Sequence, residues 1–422
     1  MLDVNERTKA PVRRLPIAAL IGPGLLLAAT GVGAGDLATG SFVGGLLGTA
    51  VLWAVLVGAF FKFVVTEGLA RWQLATGETL LEGVARRVGR WTVFLFLPYL
   101  LLWSFFVGSA LMSANGATLH AMAPVFGDAK TGKIVFGAAS SLIGLVLVWF
   151  GGYRLFDHVM RICIGVMFVT VVLTAILLWP GTAAVLEGLF VPHIPDAGGL
   201  GVAWTLALIG GIGGTLTVLC YGYWLREEGR DGRDDLRLCR IDLALGYGMT
   251  AIFGIAMVII GSSVTIEGSG AQLLVTLSER LDAVMGPTGK WLFLAGTFGA
   301  VFSSLLGVWQ CVPYLFADSW ELLRDGRAKG EPVDTSSLPY RAFLAAIAII
   351  PMVGLFWRFR DVQMLYALIG AWLFPALALI LLIFNGRTGW VGANFTNRPL
   401  TSLALIIVLV FFSYLGLRPY LG

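Results

Sequence analysis

Asp36 is the residue on which chemistry in this chain would turn. It lies in the apolar run GPGLLLAATGVGAGDLATGSFVGG, Gly22 to Gly45, directly after Gly31, Gly33 and Gly35. A carboxylate in the middle of a membrane span costs about 2.5–3.5 kcal/mol on insertion scales. A glycine costs a helix interior about 1 kcal/mol relative to alanine, so this cluster points to a weak place in the helix. An acid beside a weak backbone is the pattern of a membrane-embedded ion or solute site. Glycines that serve only close helix packing, with Asp36 bonded to a neighbouring helix, would give the same letters.

A second run, GVAWTLALIGGIGGTLTVLCYGYWLREEG, crowds Gly210, Gly211, Gly213 and Gly214 into its middle and then supplies Thr215 and Thr217. Backbone freed at two such places would present carbonyl oxygens, and the half-helix ends would add their partial charges. The candidate site therefore holds Asp36, Thr217 and backbone near Gly33, Gly35 and Gly213. Donors of this kind, all oxygen, suit hard cations such as Mg2+. Cys220, a turn from Thr217, is the one soft atom in reach. The four cysteines (Cys163, Cys220, Cys239, Cys311) show no CxxC spacing and read as small hydrophobes. A second embedded charge, Lys62, sits in GAFFKFVVTEGLARW. It either snorkels to the inner boundary, bonds a carbonyl, or pairs with Asp36 in the place of a substrate or coupling cation. Glu67 and Arg71, four apart, read as an ordinary surface pair.

The elements that must position these residues are membrane spans. The 422 residues are 58% hydrophobic and 13% charged, with mean hydropathy +0.86. Soluble domains carry about 25% charged residues. Eleven apolar segments are long enough to cross ~30 Å of hydrocarbon. They fall near 16–42, 46–70, 91–115, 131–150, 158–179, 201–224, 240–263, 288–316, 339–357, 362–385 and 399–418. Of the 29 Lys and Arg, 21 fall on one set of alternate loops, 7 on the other, and Lys62 inside a span. That bias puts the N-terminus in the cytoplasm and, with an odd span count, Gly422 outside. The expected location is an integral plasma membrane protein, in a bacterium the inner membrane. The net charge of +4 needs no nucleic-acid partner, since the basic residues sort by membrane side. The N-terminal Met1 to Arg14 is polar and unlike a removable signal peptide. No GxxxxGK[ST] loop or catalytic constellation appears, which disfavours an ATPase or other enzyme and implies no bound cofactor. The expected partners are the lipid bilayer and a transported cation, and a monomer suffices.

Spans one and six are five helices apart and are the two most glycine-interrupted segments. Corresponding weak points in two halves are the sequence mark of an inverted-repeat transporter with its site at the midplane. From this point the chain resembles the Nramp family of divalent-metal transporters over roughly residues 20–415. GPGLLLAATGVGAGDLATG is similar to the family's first span, GPGFL…DPGNWATD. ARWQLATGETLLEGV resembles the end of its span two, and AVLEGLFVPHIP, residues 184–195, its external loop before span six. Asp242 at the start of span seven and FPALALILLIF in span ten fit the same order. The resemblance implies an all-α LeuT-type fold in a single membrane domain. One repeat covers about 16–179, its inverted partner about 201–385, and an extra helix about 399–418, with helices one and six broken.

The departures bear on function. Without gaps, the family's DPGN falls on Gly33, Ala34, Gly35 and Asp36, so its metal-binding aspartate is a glycine here. The family's MPHN in span six falls on Thr217, Val218, Leu219 and Cys220, which removes the thioether. The resemblance also implies a proton route through acids in span three and a histidine in span six. This chain has no Asp or Glu from Trp91 to Gly127 and no His in span six. His120 and His158 read as interfacial. The expectation is a secondary transporter or facilitator for a hard divalent cation such as Mg2+, with weak or no proton coupling. A proton-coupled Mn/Fe transporter of the usual kind, a carrier of a small organic solute such as an amino acid or amine, and a non-transporting sensor are the alternatives.

Overall fold

The computed structural model describes residues 22–230, 232, 235–263, 273–324 and 331–421. Their regular structure is helical throughout. The basic residues expected on the N-terminal tail, Arg7 to Arg14, and part of the polar stretch after Arg324 lie outside the described residues.

The first apolar stretch, Pro23–Thr76, is 54 residues long and makes two passes. Gly48 ends the first at φ +66°, and Leu52–Thr76 forms the second. At ~1.5 Å per residue this second helix is about 37 Å long, enough to cross hydrocarbon. The spans that follow are Trp91–Met122, Ala129–Gly151, Leu155–Leu177, Gly201–Glu227, Asp235–Ser262, Met285–Arg324, Leu338–Phe356 and Phe359–Phe384. A last apolar helix runs Pro399–Leu421. With the first stretch divided at Gly48, the described residues supply the eleven passes read from hydropathy. Spans are numbered one to eleven in this order below.

Side-chain contacts fix how the central spans run. Gly24 lies against Asp242 and Gly261 against Ser41, so spans one and seven are parallel. Thr66 bonds Tyr247 and Glu67 bonds Arg240, while Gly254 meets Val55, so span two runs antiparallel to span seven. Gln73 reaches Gly222, and Gly58 packs on Ile209, so spans two and six are parallel. Spans one, two, six and seven thus form one packed group. Outside the core, large apolar side chains such as Phe94, Phe150, Val169 and Val410 are exposed. In a chain of this composition those faces meet lipid, whose tails are as apolar as they are.

Candidate substrate site

The two glycine-rich places differ in how they depart from an α-helix. Span one stays coiled: Pro23–Gly31 leads into a π-helical stretch, Val32–Thr39, and α-helix resumes at Gly40–Leu47. A π-helical stretch this long is rare, and such insertions frequently mark functional sites. Asp36 sits in its middle. Span six is broken outright. Its α-helix Gly201–Gly211 ends, Gly213 and Gly214 turn at φ +69° and +88°, and a 3-10 turn Leu216–Cys220 restarts the coil.

The two spans run antiparallel and cross at these places with backbone on backbone. A Cβ on Gly31 would stand 2.3 Å from the Gly214 nitrogen, and one on Gly35 would stand 2.2 Å from the Gly211 oxygen. Both positions are held to glycine by the crossing itself. Asp36 is fully buried there. Its Oδ1 accepts the Gly213 N–H at 2.9 Å, whereas its Oδ2 is buried with no hydrogen-bond partner.

Lys62, also fully buried, comes to the same break from span two. Its ammonium donates to the Gly210 carbonyl at 2.5 Å and to the Gly214 carbonyl, and it stands 3.8 Å from the centroid of the Phe374 ring. It makes no direct ion pair with Asp36, so of the three readings of Lys62 the structure has the carbonyl contact and not the charge pair. The physical reason is local. Breaking span six frees the Gly210 carbonyl at the negative end of a half-helix and the Gly214 carbonyl in the turn beyond it, and an ammonium satisfies both. Lys62 does not snorkel.

The other expected residues divide. Thr217 Oγ1 is buried without a partner and faces the break, 2.5 Å from where a Gly214 Cβ would lie. Gly33 turns to span eight instead: its N–H donates to Ser304 Oγ at 2.6 Å, and Ser304 donates on to the Ala29 carbonyl. Cys220 is buried with its thiol toward Cys311 of span eight. Around the break stand Trp103, which donates to Thr215 Oγ1 at 2.7 Å, Tyr247, Tyr366 and Phe374. Among the described residues no group of three or more His, Cys, Asp and Glu is close enough to hold a metal ion.

On the side where the loops are basic, a polar layer escaped the sequence reading. Asp242, at the start of span seven, accepts the N–H groups of Gly22 at 3.1 Å and Gly24 at 2.7 Å, and the Tyr221 hydroxyl at 3.1 Å. It therefore caps the first half-helix of span one, where an anion also meets the positive helix end. Arg230 approaches it at 3.5 Å and pairs with Glu228 at 2.9 Å. Burial raises the Glu228 carboxyl above its ordinary range, with Arg230 opposing. Glu67 and Arg71 are not the surface pair expected. Both are buried, and Glu67 binds Arg240 as well as Arg71, which also donates to the Phe395 carbonyl and to Asn397. Spacing of four predicts the pair but not the two segments packed over it, span seven and the stretch before span eleven.

The family model described as "Natural resistance-associated macrophage protein-like" matches residues 24–419. The chain belongs to the Nramp family. It is 26% identical over 323 residues to a divalent metal cation transporter MntH of Chromohalobacter salexigens, covering 70% of each chain. It is 22% identical over 428 residues to the MntH of Deinococcus radiodurans, covering 96% of this chain and 90% of that one. A mutant Eremococcus coleocola manganese transporter superposes with a TM-score of 0.74 at 16% identity, over 99% of this chain and 90% of its own. MhsT in complex with L-phenylalanine superposes with a TM-score of 0.63 at 14% identity, over 94% and 97%. These likenesses establish the LeuT-type fold, and the family consists of transporters, not enzymes. In this Nramp-family chain the motif's aspartate position, Gly33, is closed by span eight. A Cβ there would stand 2.7 Å from Ser304 Cβ and 2.8 Å from Val301 Cα.

Proposed function

We propose that this Nramp-family chain is a secondary transporter or facilitator that moves a hard divalent cation, Mg2+ in particular, by alternating access. One observation carries the reading. Asp36 Oδ2 and Thr217 Oγ1 are buried oxygens without partners, both beside the span six break. A buried polar atom left unsatisfied is costly, and two such oxygens at one backbone break support a bound cation with its waters there. Mg2+ keeps several of its waters and is held through one or two carboxylates rather than by an all-protein cage. A single carboxylate with hydroxyl and carbonyl oxygen fits that habit. Transition metals gain most from soft or imidazole ligands, and among the described residues no group of three or more His, Cys, Asp and Glu gathers at Asp36. Spans one, two, six and seven would rock as one group against the rest. Weak or absent proton coupling follows from a span three without acids and a span six without histidine. The bias of Lys and Arg toward one set of alternate loops supports a bacterial inner-membrane protein with its N-terminus in the cytoplasm and its C-terminus outside.

Lys62 favours a second reading. A fixed ammonium near Asp36, walled by Trp103, Tyr247, Tyr366 and Phe374, offers both charges and an aromatic surface to a small organic solute such as an amino acid.

Calorimetric titration of the purified protein with Mg2+, Mn2+ and a panel of amino acids separates these. Saturable Mg2+ binding that Asp36→Ala abolishes is the expected result. Mn2+ binding tenfold tighter than Mg2+ overturns the preference for a hard ion. A response to an organic ligand alone transfers the site to the second reading. Lumenal pH in proteoliposomes during uptake should stay constant.

A further inference from the structure

The Lys62 ammonium is the least explained charge in the molecule. It is fully buried in the middle of span two, and its partners are main-chain carbonyls 148 and 152 residues away. A lysine held this way is costly unless it replaces something the site needs. What the site needs can be read from its charges and its empty valences. The break in span six leaves the Gly210 carbonyl at the negative end of a half-helix and the Gly214 carbonyl in the turn just beyond it, both outside a helical ladder. Asp36 adds a formal negative charge against Gly213, between those two carbonyls in the chain. A pair of carbonyl oxygens and a nearby carboxylate, wrapped by low-dielectric protein, would draw in a monovalent cation. An ammonium carries the same charge as Na+ or K+ and seeks the same oxygens.

We propose that Lys62 is a resident cation: it permanently fills the oxygen position at the span six break that a free alkali cation would otherwise take, and so frees this chain from dependence on Na+ or K+. The inference rests on the break being the working site, as proposed above, but not on which substrate binds there. Being tied to span two, the ammonium cannot dissociate. It neutralises Asp36 in every state of the cycle that keeps the contact, and it locks spans two and six, which run parallel, into one moving body. A substrate then meets a site whose net charge is fixed by covalent structure rather than by the salt in the medium.

Removing the ammonium should expose the cation site. Lys62→Ala leaves both carbonyls, the Asp36 charge and a side-chain-sized space, whereas Lys62→Met removes the charge but fills the space. Thermal unfolding is measured without divalent ions in equal concentrations of NaCl, KCl and N-methylglucamine chloride. Wild type should melt at the same temperature in all three. Lys62→Ala should melt lower in N-methylglucamine and recover several degrees, saturably, with one of the alkali cations. Lys62→Met should melt lower in all three with no recovery. The double variant Lys62→Ala with Asp36→Asn should lose the recovery. A saturable alkali-cation response in wild type overturns the proposal, as does a folded Lys62→Ala that treats the three salts alike. Should Lys62→Ala not fold, the wild-type measurement decides alone. Because no divalent ion is present, failure of the Mg2+ reading and failure of this one are read separately.

Discussion

Lys62 and Asp36 grip the same short break in span six with opposite charges and without touching each other. The ammonium takes the Gly210 and Gly214 carbonyls, and the carboxylate takes the Gly213 N–H between them. Each residue thus answers the polarity of the backbone it meets: a cation on freed acceptors, an anion on a freed donor. The broken peptide acts as the intermediary of a charge pair, and the two charges are coupled through it. Such coupling has a measurable sign.

Asp36→Asn keeps an oxygen for Gly213 but removes the charge that offsets Lys62. Breaking one member of a buried pair costs up to about 3–5 kcal/mol, because the other charge stays buried alone. Lys62→Met leaves Asp36 in the mirror-image position. The double variant Asp36→Asn with Lys62→Met should therefore be destabilised by less than the sum of the two singles. A thermal-unfolding cycle that comes out additive would show the charges to be independent.

Gly213 has to be glycine for two separate reasons. Its φ of +69° costs an L side chain about 1–2 kcal/mol, and a Cβ there would stand 2.8 Å from the Tyr247 ring. Gly213→Ala should lower the melting temperature by several degrees and reduce substrate uptake more than Gly248→Ala, a glycine with open space around it. Equal loss in the two variants would remove the special standing of the break.

Much of this is legible in the sequence. Asp36 and Lys62 stand out because charge is rare in hydrocarbon, and the Gly210–Gly214 cluster because few other residues tolerate a turn in mid-membrane. The eleven passes follow from hydropathy and the sidedness of arginine. What the letters could not carry were contacts made by main chain. Carbonyls have no sequence signature, so Lys62 read equally well as a partner of Asp36. The form of the span one weak point was also hidden, since a π-helical stretch and an unwound one use the same small residues. Glu67 looked superficial because its spacing to Arg71 is that of a surface pair. Only the packing of Arg240 and Phe395 over it shows it to be interior. Asp242 entered by its place in a family pattern, with nothing to say that it caps span one.

That cap gives a gate-side prediction. Asp242 receives two N–H groups at the start of span one, together with Tyr221 and Arg230. Asp242→Asn retains one acceptor and loses the charge, for about 1–3 kcal/mol by the usual penalty of a buried group left underpaired. Span one should then loosen at its first turn and admit water toward the break. Cys220 is buried in the native chain and reports this. A membrane-permeant maleimide should label it faster in Asp242→Asn than in wild type. An unchanged rate, with an unchanged melting temperature, would make the cap dispensable.

Restoring the family's aspartate is a sharper trial of how far this chain has moved from its relatives. Gly33→Asp would put a carboxylate at the motif position, but the position no longer opens on the crossing with span six. Its N–H is already taken by Ser304, and a Cβ would meet Ser304 Cβ at 2.7 Å and Val301 Cα at 2.8 Å. Over-packing of this kind costs about 1–3 kcal/mol, and an acid forced against an apolar helix adds to it. The variant should melt well below wild type and gain no Mn2+ affinity in calorimetry. Truncating the neighbour, as in Gly33→Asp with Ser304→Ala, should not restore it, because the Val301 contact is main chain and cannot be cut back. The opposite result, a stable Gly33→Asp that binds Mn2+, would mean that span eight gives way readily and that the family's site survives here with one side chain missing.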